Sequence, residues 1–358
     1  MEAAAKAYGK ILVFGAYAIL EPGNVGLVVN VNKGTTTSVQ ETDSGKIVID
    51  LSNFEIVVQG IIKNNKLCLD KDPDTIKFIK KAVEYSYQYI QNKRLRIKDV
   101  RVISYNDPEL SINKNLKTGF GSSATSTVST VAALLKIHDI DDRQTVYKIS
   151  RYAHYKAQGD SGSGFDISCA CTGSHFFLSD FTPLDENFNK YMTTDKPLIR
   201  LEFDWPHTLI PVLVFTGVPA STTELVKKVN EFKETNFYQY KKFMYEYNQT
   251  NLAAKTAFDE NYLNRIKFFL EKSWDLRKQL GKMAKAPIEP EPMSHLIEEM
   301  KKHGALIAGL TGAGGGDSIL AICKSNEDKD ELIKFLDRLK LNVMDEIQII
   351  NKEYEIIK

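Results

Sequence analysis

Several features that often decide a protein's class are scarce in this sequence. Cysteine is one: only Cys68, Cys169, Cys171 and Cys323 occur in 358 residues. Four scattered thiols exclude a disulfide framework and a zinc site, and Cys169-x-Cys171 reads as a pair of small packing residues. A reduced, cytoplasmic setting is therefore the default expectation. Net charge is the second: 47 Lys and Arg face 46 Asp and Glu, for a formal +1. Nothing global draws such a chain to nucleic acid or to an anionic membrane. Long apolar runs are the third; Ile11 to Leu20 comes nearest and is far too short to span a bilayer. The first residues lack the charged and apolar regions of a signal peptide. Internal repeats and low-complexity tracts are missing as well.

What remains is the composition of a soluble globular protein, 43% hydrophobic and 26% charged, long enough for one large domain or two ordinary ones. Ala7 to Leu20 is expected to open as a strand, with Ile11 to Phe14 its apolar core, that Gly15 and the Glu21-Pro22-Gly23-Asn24 cluster break; apolar and β-branched runs predict further strands over Val25 to Val31 and Thr35 to Gln40, then a meander over 45–70 and a strand over Val100 to Ser104. Ile76, Phe78, Ile79, Val83, Tyr87 and Ile90 have helical spacing. Helices are also expected over Ala124 to Leu135, Asp142 to Gly159, Ile167 to Thr172, Thr223 to Lys233, most of 236–281, Met293 to His303 and Glu327 to Leu339. Further strands are expected over Ser174 to Leu178, Ser318 to Cys323 and near Glu346 to Ile350, and Leu198 to Phe203 and Leu209 to Phe215 are apolar runs. The polar segment 180–195 suggests a boundary between domains 1–190 and 191–358.

Three glycine-rich turns stand out. The first, Lys117-Thr118-Gly119-Phe120-Gly121-Ser122-Ser123-Ala124, opens a helix. A helix start exposes unpaired N–H groups at the positive end of the dipole, which suits phosphate; an ordinary Ser N-cap is the plainer reading. The second, Asp160-Ser161-Gly162-Ser163-Gly164-Phe165-Asp166, ends in a carboxylate that could act as a base, hold a metal or cap a helix. The third, Gly309 to Asp317, places four glycines within Gly312 to Gly316, more than a tight turn needs. No GxxxxGK[ST] loop and no protein-kinase signature occurs, so a bound nucleotide would be held by another fold.

Together, Lys6-Ala7-Tyr8-Gly9-Lys10-Ile11-Leu12 with Gly15 and Glu21, the first turn, and the third turn resemble the three ordered motifs of the GHMP small-molecule kinases. They run from residue 6 to residue 323. The nearest resemblance within the family is to the branch acting on phosphomevalonate. It rests on the first turn, on Ala157-Gln158-Gly159 leading to Gly162-Ser163-Gly164-Phe165-Asp166, and on Thr216-Gly217-Val218-Pro219-Ala220-Ser221-Thr222-Thr223-Glu224.

This resemblance implies two α+β lobes: an N-terminal lobe of ribosomal protein S5 domain 2-like type and a ferredoxin-like C-terminal lobe, with the active site between them. It implies ATP with Mg²⁺, and phosphomevalonate as acceptor. The protein would be a monomer or homodimer, with no nucleic-acid or membrane partner. Lys117, Gly119, Phe120, Gly121, Ser122, Ser123 and Ala124 would hold ATP, with Ser123 near the metal. Asp166 would be the base and Lys10 the neutralising cation; a helix cap and a solvated strand residue are their plainer readings. Lys6, Tyr17, Lys156, Ser161, Ser163, Ser221, Thr222, Gly312, Ala313 and Gly314 would face the acceptor, although Ser221-Thr222 also reads as a simple helix cap. Mevalonate kinases have a metal-binding glutamate upstream of the aspartate. Here the stretch is His154-Tyr155-Lys156-Ala157-Gln158-Gly159-Asp160, so Mg²⁺ would rest on Ser123, phosphates and water, or on Asp160 or Gln158. His154 and His175 read as packing residues. The alternatives are a kinase of mevalonate or a sugar, a decarboxylase on the same scaffold, and a non-catalytic binding protein.

Overall fold

In the computed structural model the described residues are 1–51, 54–113, 116–180, 184, 187–194, 201–218 and 220–358; the side chains of 111–117 lie outside that description. A long hairpin organises the first lobe. β1 (Glu2–Phe14) and β2 (Val25–Thr42) pair antiparallel from Glu2 opposite Gln40 to Phe14 opposite Leu27. β1 begins earlier than its apolar core suggests, because pairing with β2 carries Glu2 to Lys6 into the sheet. It ends at Phe14, immediately before the expected break at Gly15, and Ala18–Leu20 is a short 3-10 turn. The two strands expected within 25–40 are one. Gly34 allows this, since a Cβ there would stand 2.0 Å from the Ala7 carbonyl oxygen.

β3 (Ile47–Leu51), β4 (Ile56–Lys63) and β5 (Lys66–Leu69) form the meander. The chain then crosses over α1 (Lys77–Asn92) to β6 (Asp99–Asn106), which pairs parallel to β3 and antiparallel to β2. A small ribbon, β7 (Ser111–Asn113) with β8 (Leu116–Lys117), leads to α2 (Ser122–Ile137), α3 (Arg143–Ala157) and α4 (Phe165–Thr172). β9 (His175–Leu178) returns to β2. After α5 (Phe188–Thr193), β10 (Leu201–Glu202) pairs with β9; it is all the strand that forms among the described part of Leu198 to Phe203. Helices α1 to α4 bury their apolar faces on the sheet, with Ile79, Val83, Tyr87, Val128, Val131 and Ile149 in one core.

The second lobe runs β11 (Ile210–Phe215), α6 (Thr222–Thr235), α7 (Phe237–Asp259), α8 (Leu263–Met283), α9 (Glu291–Lys302), β12 (Ile307–Leu310), β13 (Ser318–Cys323), α10 (Asn326–Arg338) and β14 (Asn342–Val343). Its sheet has the order β12-β13-β11-β14, antiparallel at every pairing. That is the β-α-β-β-α-β arrangement of a ferredoxin-like lobe, with extra helices in the first crossover. The chain then goes back: β15 (Ile349–Ile350) pairs with β2 and β16 (Glu355–Ile356) with β1. A division at 190/191 is thus crossed by the last ten residues, and much of the expected boundary segment lies outside the described residues.

The lobes share a core in which Ile11, Val13 and Val29 meet Leu270, Trp274, Ile307 and Leu320. Trp274 Nε1 donates to the Val13 carbonyl at 2.8 Å. Glu21, just beyond the 3-10 turn, accepts hydrogen bonds from Lys233 of α6 and from Tyr240 and Lys241 of α7 at 2.5, 2.9 and 2.7 Å. Burial works to raise the Glu21 pKa, but these three donors outweigh it and hold the carboxyl below its ordinary value. The helix that begins at Thr222 is in this way tied to the first lobe.

Candidate active site

The first turn is built on backbone. Gly121 is the N-cap of α2, with φ +83° and no side-chain cap, so the plainer reading of a capping serine does not hold. The N–H groups that begin α2 therefore remain available to an anion at the positive end of a 16-residue helix. Lys10 is laced to this turn twice. Its backbone N–H donates to the Phe120 carbonyl at 2.8 Å, and its Nζ donates to the Gly119 carbonyl at 2.8 Å. The Lys10 stem lies so close to Gly121 that a Cβ there would be 3.0 Å from Lys10 Cε. Gly121→Ala should therefore lose more activity than stability. The left-handed backbone costs about 1–2 kcal/mol, whereas a displaced Lys10 should lower kcat by at least ~10-fold. Parallel melting curves and steady-state rates read both effects.

Asp166 lies in the first turn of α4, whose N-cap is Gly164. Its Oδ1 accepts from the Ile167 N–H at 2.9 Å, and its Oδ2 stands 3.7 Å from His154 Nε2. Burial alone would raise the Asp166 pKa. His154, Lys10, the Ile167 N–H and Arg151 outweigh it and keep the carboxyl below its ordinary range, hence ionised. Lys10 shows the opposite balance: burial pushes its ammonium down, against the pull of Asp166 and Asp317.

His154 corrects its reading as a packing residue. One edge of the ring does pack, on Phe78 at 5.0 Å. The other places Nε2 3.2 Å from the Ser123 hydroxyl, so one buried imidazole touches both the first-turn serine and the aspartate. Burial lowers its pKa while Asp166 pulls the other way, and a proton on Nε2 suits the two oxygens on that side. Asp160 does not take that place: it is exposed and paired with Lys156 at 2.6 Å. His154→Phe keeps the packing and removes the shared partner. Turnover should fall about 10-fold with the fold intact, as steady-state kinetics beside circular dichroism will show.

The third turn joins β12 to β13 and reaches back across the lobe boundary. Gly312 N–H donates to the Leu12 carbonyl at 3.0 Å, and Ser318 Oγ donates to the Thr118 carbonyl at 3.1 Å. Asp317 Oδ1 accepts from the Ala220 N–H at 3.0 Å, bringing the start of α6 to the same place. Burial raises the Asp317 pKa. Ser221 is the N-cap of α6, accepting from the Glu224 N–H at 3.3 Å; Ser221 and Thr222 are both exposed. Tyr17, in a left-handed conformation with φ +65°, donates its hydroxyl to the Ala313 carbonyl at 2.7 Å. The phenol is spent on holding the turn. Gly312, Gly314 and Gly315 also use their N–H groups within the protein, on Leu12, Thr311 and Ile288.

Lys10, Ser123, Asp166, Ser221 and the Gly312–Gly314 turn are thus arrayed along one lobe junction. Other expected contributors stand apart. Lys6 lies four residues from Lys10 along β1, roughly 13 Å, and is paired with Asp107 at 2.9 Å. Lys156, two residues beyond His154, points to another face of α3 and packs on Tyr152 and Tyr155. Ser161 is exposed and donates to the Gln158 carbonyl, whereas Ser163 is buried in the second loop. The side chains of Phe120 and Ala124 are core; the Ala124 N–H donates to the Gly121 carbonyl at 3.0 Å, and the Phe120 carbonyl is the one that accepts from Lys10. The Lys117 side chain lies outside the described residues. Arg151 was not foreseen: it donates to the Gly162 carbonyl at 2.9 Å and braces the loop that carries Asp166.

Residues 77–174 match the GHMP kinases N terminal domain, and residues 256–341 match GHMP kinases C terminal. The chain is 30% identical over 323 residues to a phosphomevalonate kinase of Saccharolobus solfataricus, covering 88% of each. Its fold superposes over the full length of both chains on a Lin0012 protein from Listeria innocua, with TM-score 0.88 and 21% identity. It does so too on the Streptococcus pneumoniae phosphomevalonate kinase in complex with phosphomevalonate and AMPPNP, with TM-score 0.76 and 18% identity.

Proposed function

The chain belongs to the GHMP kinases, and from that premise we propose that it transfers the γ-phosphoryl group of ATP to the phosphate of 5-phosphomevalonate. The products are ADP and 5-diphosphomevalonate, on the mevalonate route to isoprenoids. The observation that carries this reading is the convergence on Lys10: its stem against Gly121, its ammonium on Gly119, and Asp166 and Asp317 as its charged neighbours.

Phosphoryl transfer needs positioning and charge neutralisation more than covalent help. The N–H groups at the start of α2 receive the ATP phosphates. An oxygen of the acceptor phosphate forms the new bond to the γ-phosphorus as the bond to the β,γ-bridging oxygen breaks, and ADP leaves with that electron pair. Lys10 lies where it can offset the negative charge gathered between acceptor and γ-phosphoryl. A phosphomonoester has a second pKa of about 6, so the acceptor is mostly dianionic at neutral pH. Asp166 then has little proton to remove. Its work is to hold Lys10 and orient the acceptor, and to take the proton from the minority monoanion.

Among the described residues no cluster of three or more His, Cys, Asp or Glu forms a protein-only metal site. That suits Mg²⁺, which keeps waters and is usually held by one or two side chains with substrate phosphates. The Ser123 hydroxyl and the Asp166 carboxylate are the oxygen donors that fit. When bound, the ion would neutralise phosphate charge.

ADP release with Mg·ATP and three acceptors in parallel tests this function. Turnover on 5-phosphomevalonate alone supports it. Turnover on mevalonate alone, or on diphosphomevalonate with release of CO₂, overturns the acceptor assignment.

A further inference from the structure

Arg277 has no part in the scheme above. It lies on α8 directly beneath the third turn and is 1% exposed, among the largest fully buried side chains of the protein. Nη1 donates to the Gly312 carbonyl at 3.1 Å, while Nε and Nη2 have no partner. Among the described residues no carboxylate forms an ion pair with it. Its charged neighbours would have to be phenolates, but burial pushes Tyr17 up and Tyr247 up to about 12, so both stay neutral. One helical turn away on the same face, Trp274 anchors α8 to β1 and packs against Gly309.

A buried guanidinium without a counter-charge destabilises a fold, and an apolar chain of similar length would serve packing better. The charge has one evident direction of effect. A trans peptide points its C=O and N–H opposite ways. Because the Gly312 carbonyl faces Arg277, the Ala313 N–H of the same peptide faces away from it. That N–H has no acceptor among the described residues, and Ala313 is half-buried. In a low-dielectric interior the uncompensated charge acts strongly on the turn above it.

We propose that Arg277 is a positioning residue for the anionic acceptor: it sets the Gly312–Ala313 peptide with its N–H outward and supplies, from beneath, the positive charge an acceptor anion meets at the third turn. This rests on the phosphotransferase reading above. The anion is the acceptor's phosphate or its carboxylate, and the two are separable by experiment.

The test compares wild type, Arg277→Met and Arg277→Lys. Arg277→Met should raise KM for 5-phosphomevalonate about 10-fold, leave KM for ATP unchanged, and leave Tm unchanged or higher. Arg277→Lys, which keeps the charge, should recover part of the acceptor affinity. Binding of mevalonate, measured by calorimetry on the same proteins, separates the two anions. Weakening of both ligands marks the carboxylate, and weakening of phosphomevalonate alone marks the phosphate. A lower Tm with both KM values shifted together would show a structural role and overturn the proposal. So would a wild-type acceptor KM in Arg277→Met, with the function reading untouched. If Arg277→Met does not fold, Arg277→Lys decides by the same split between acceptor and ATP. A wild type silent on 5-phosphomevalonate overturns the function reading, and this proposal with it.

Discussion

Replacing Asp166 with asparagine is expected to lower kcat by at least ~100-fold. The substitution keeps volume and leaves an oxygen able to accept from the Ile167 N–H, so α4 should start as before. What it removes is the charge. Lys10 loses the carboxylate that most offsets its burial, and His154 loses the anion at 3.7 Å from its Nε2. A carboxamide can also turn its NH₂ toward Lys10 or the acceptor, where a repelling donor replaces an attracting acceptor. The loss should fall mainly on kcat. Because the acceptor is mostly dianionic already, raising the pH should not restore the rate. Initial rates across pH, at saturating ATP and acceptor, check this; near-normal turnover would remove Asp166 from the mechanism.

Lys10→Ala should cost at least ~100-fold in kcat as well, since it removes the ammonium held on the Gly119 carbonyl and beside Asp166, where charge builds between the two phosphates. The backbone bond from residue 10 to the Phe120 carbonyl does not depend on the side chain and should survive. The start of α2 stays in place, so ATP binding should weaken far less than turnover. Stability should change little, because the lysine is held against its own desolvation. A nucleotide titration beside the rate measurement separates the two effects. Wild-type turnover in this variant would show that the ammonium does not act in the transfer.

The parts of the site that were legible in the sequence are the local ones. Glycine placed before a helix constrains the backbone within a few residues, so the first and third turns could be read directly from Gly119 to Ser123 and from Gly312 to Gly316. Helices with regular apolar spacing, such as α1, were equally plain. The long β2 was not, because Asn32, Lys33 and Gly34 look like a break until β1 passes beside them. The Lys6–Asp107 pair could not be read from Lys6 and its neighbours, because Asp107 is remote in sequence. His154 derives its meaning from Ser123, 31 residues earlier, and Asp166, on the next helix. Its only local signal was a histidine shortly before the aspartate loop. Arg277 did leave a trace: it falls on the buried stripe Ile266, Leu270, Trp274, Leu280, where an apolar residue is due.

The most direct measurement is phosphorus NMR of the reaction of wild-type protein with Mg·ATP and 5-phosphomevalonate. The acceptor's monoester resonance should be replaced by a pair of mutually coupled diphosphate resonances beyond those of ADP, appearing at the rate at which ADP forms. Inorganic phosphate released with ADP, or a second monoester resonance from transfer to a hydroxyl, would contradict phosphate-to-phosphate transfer.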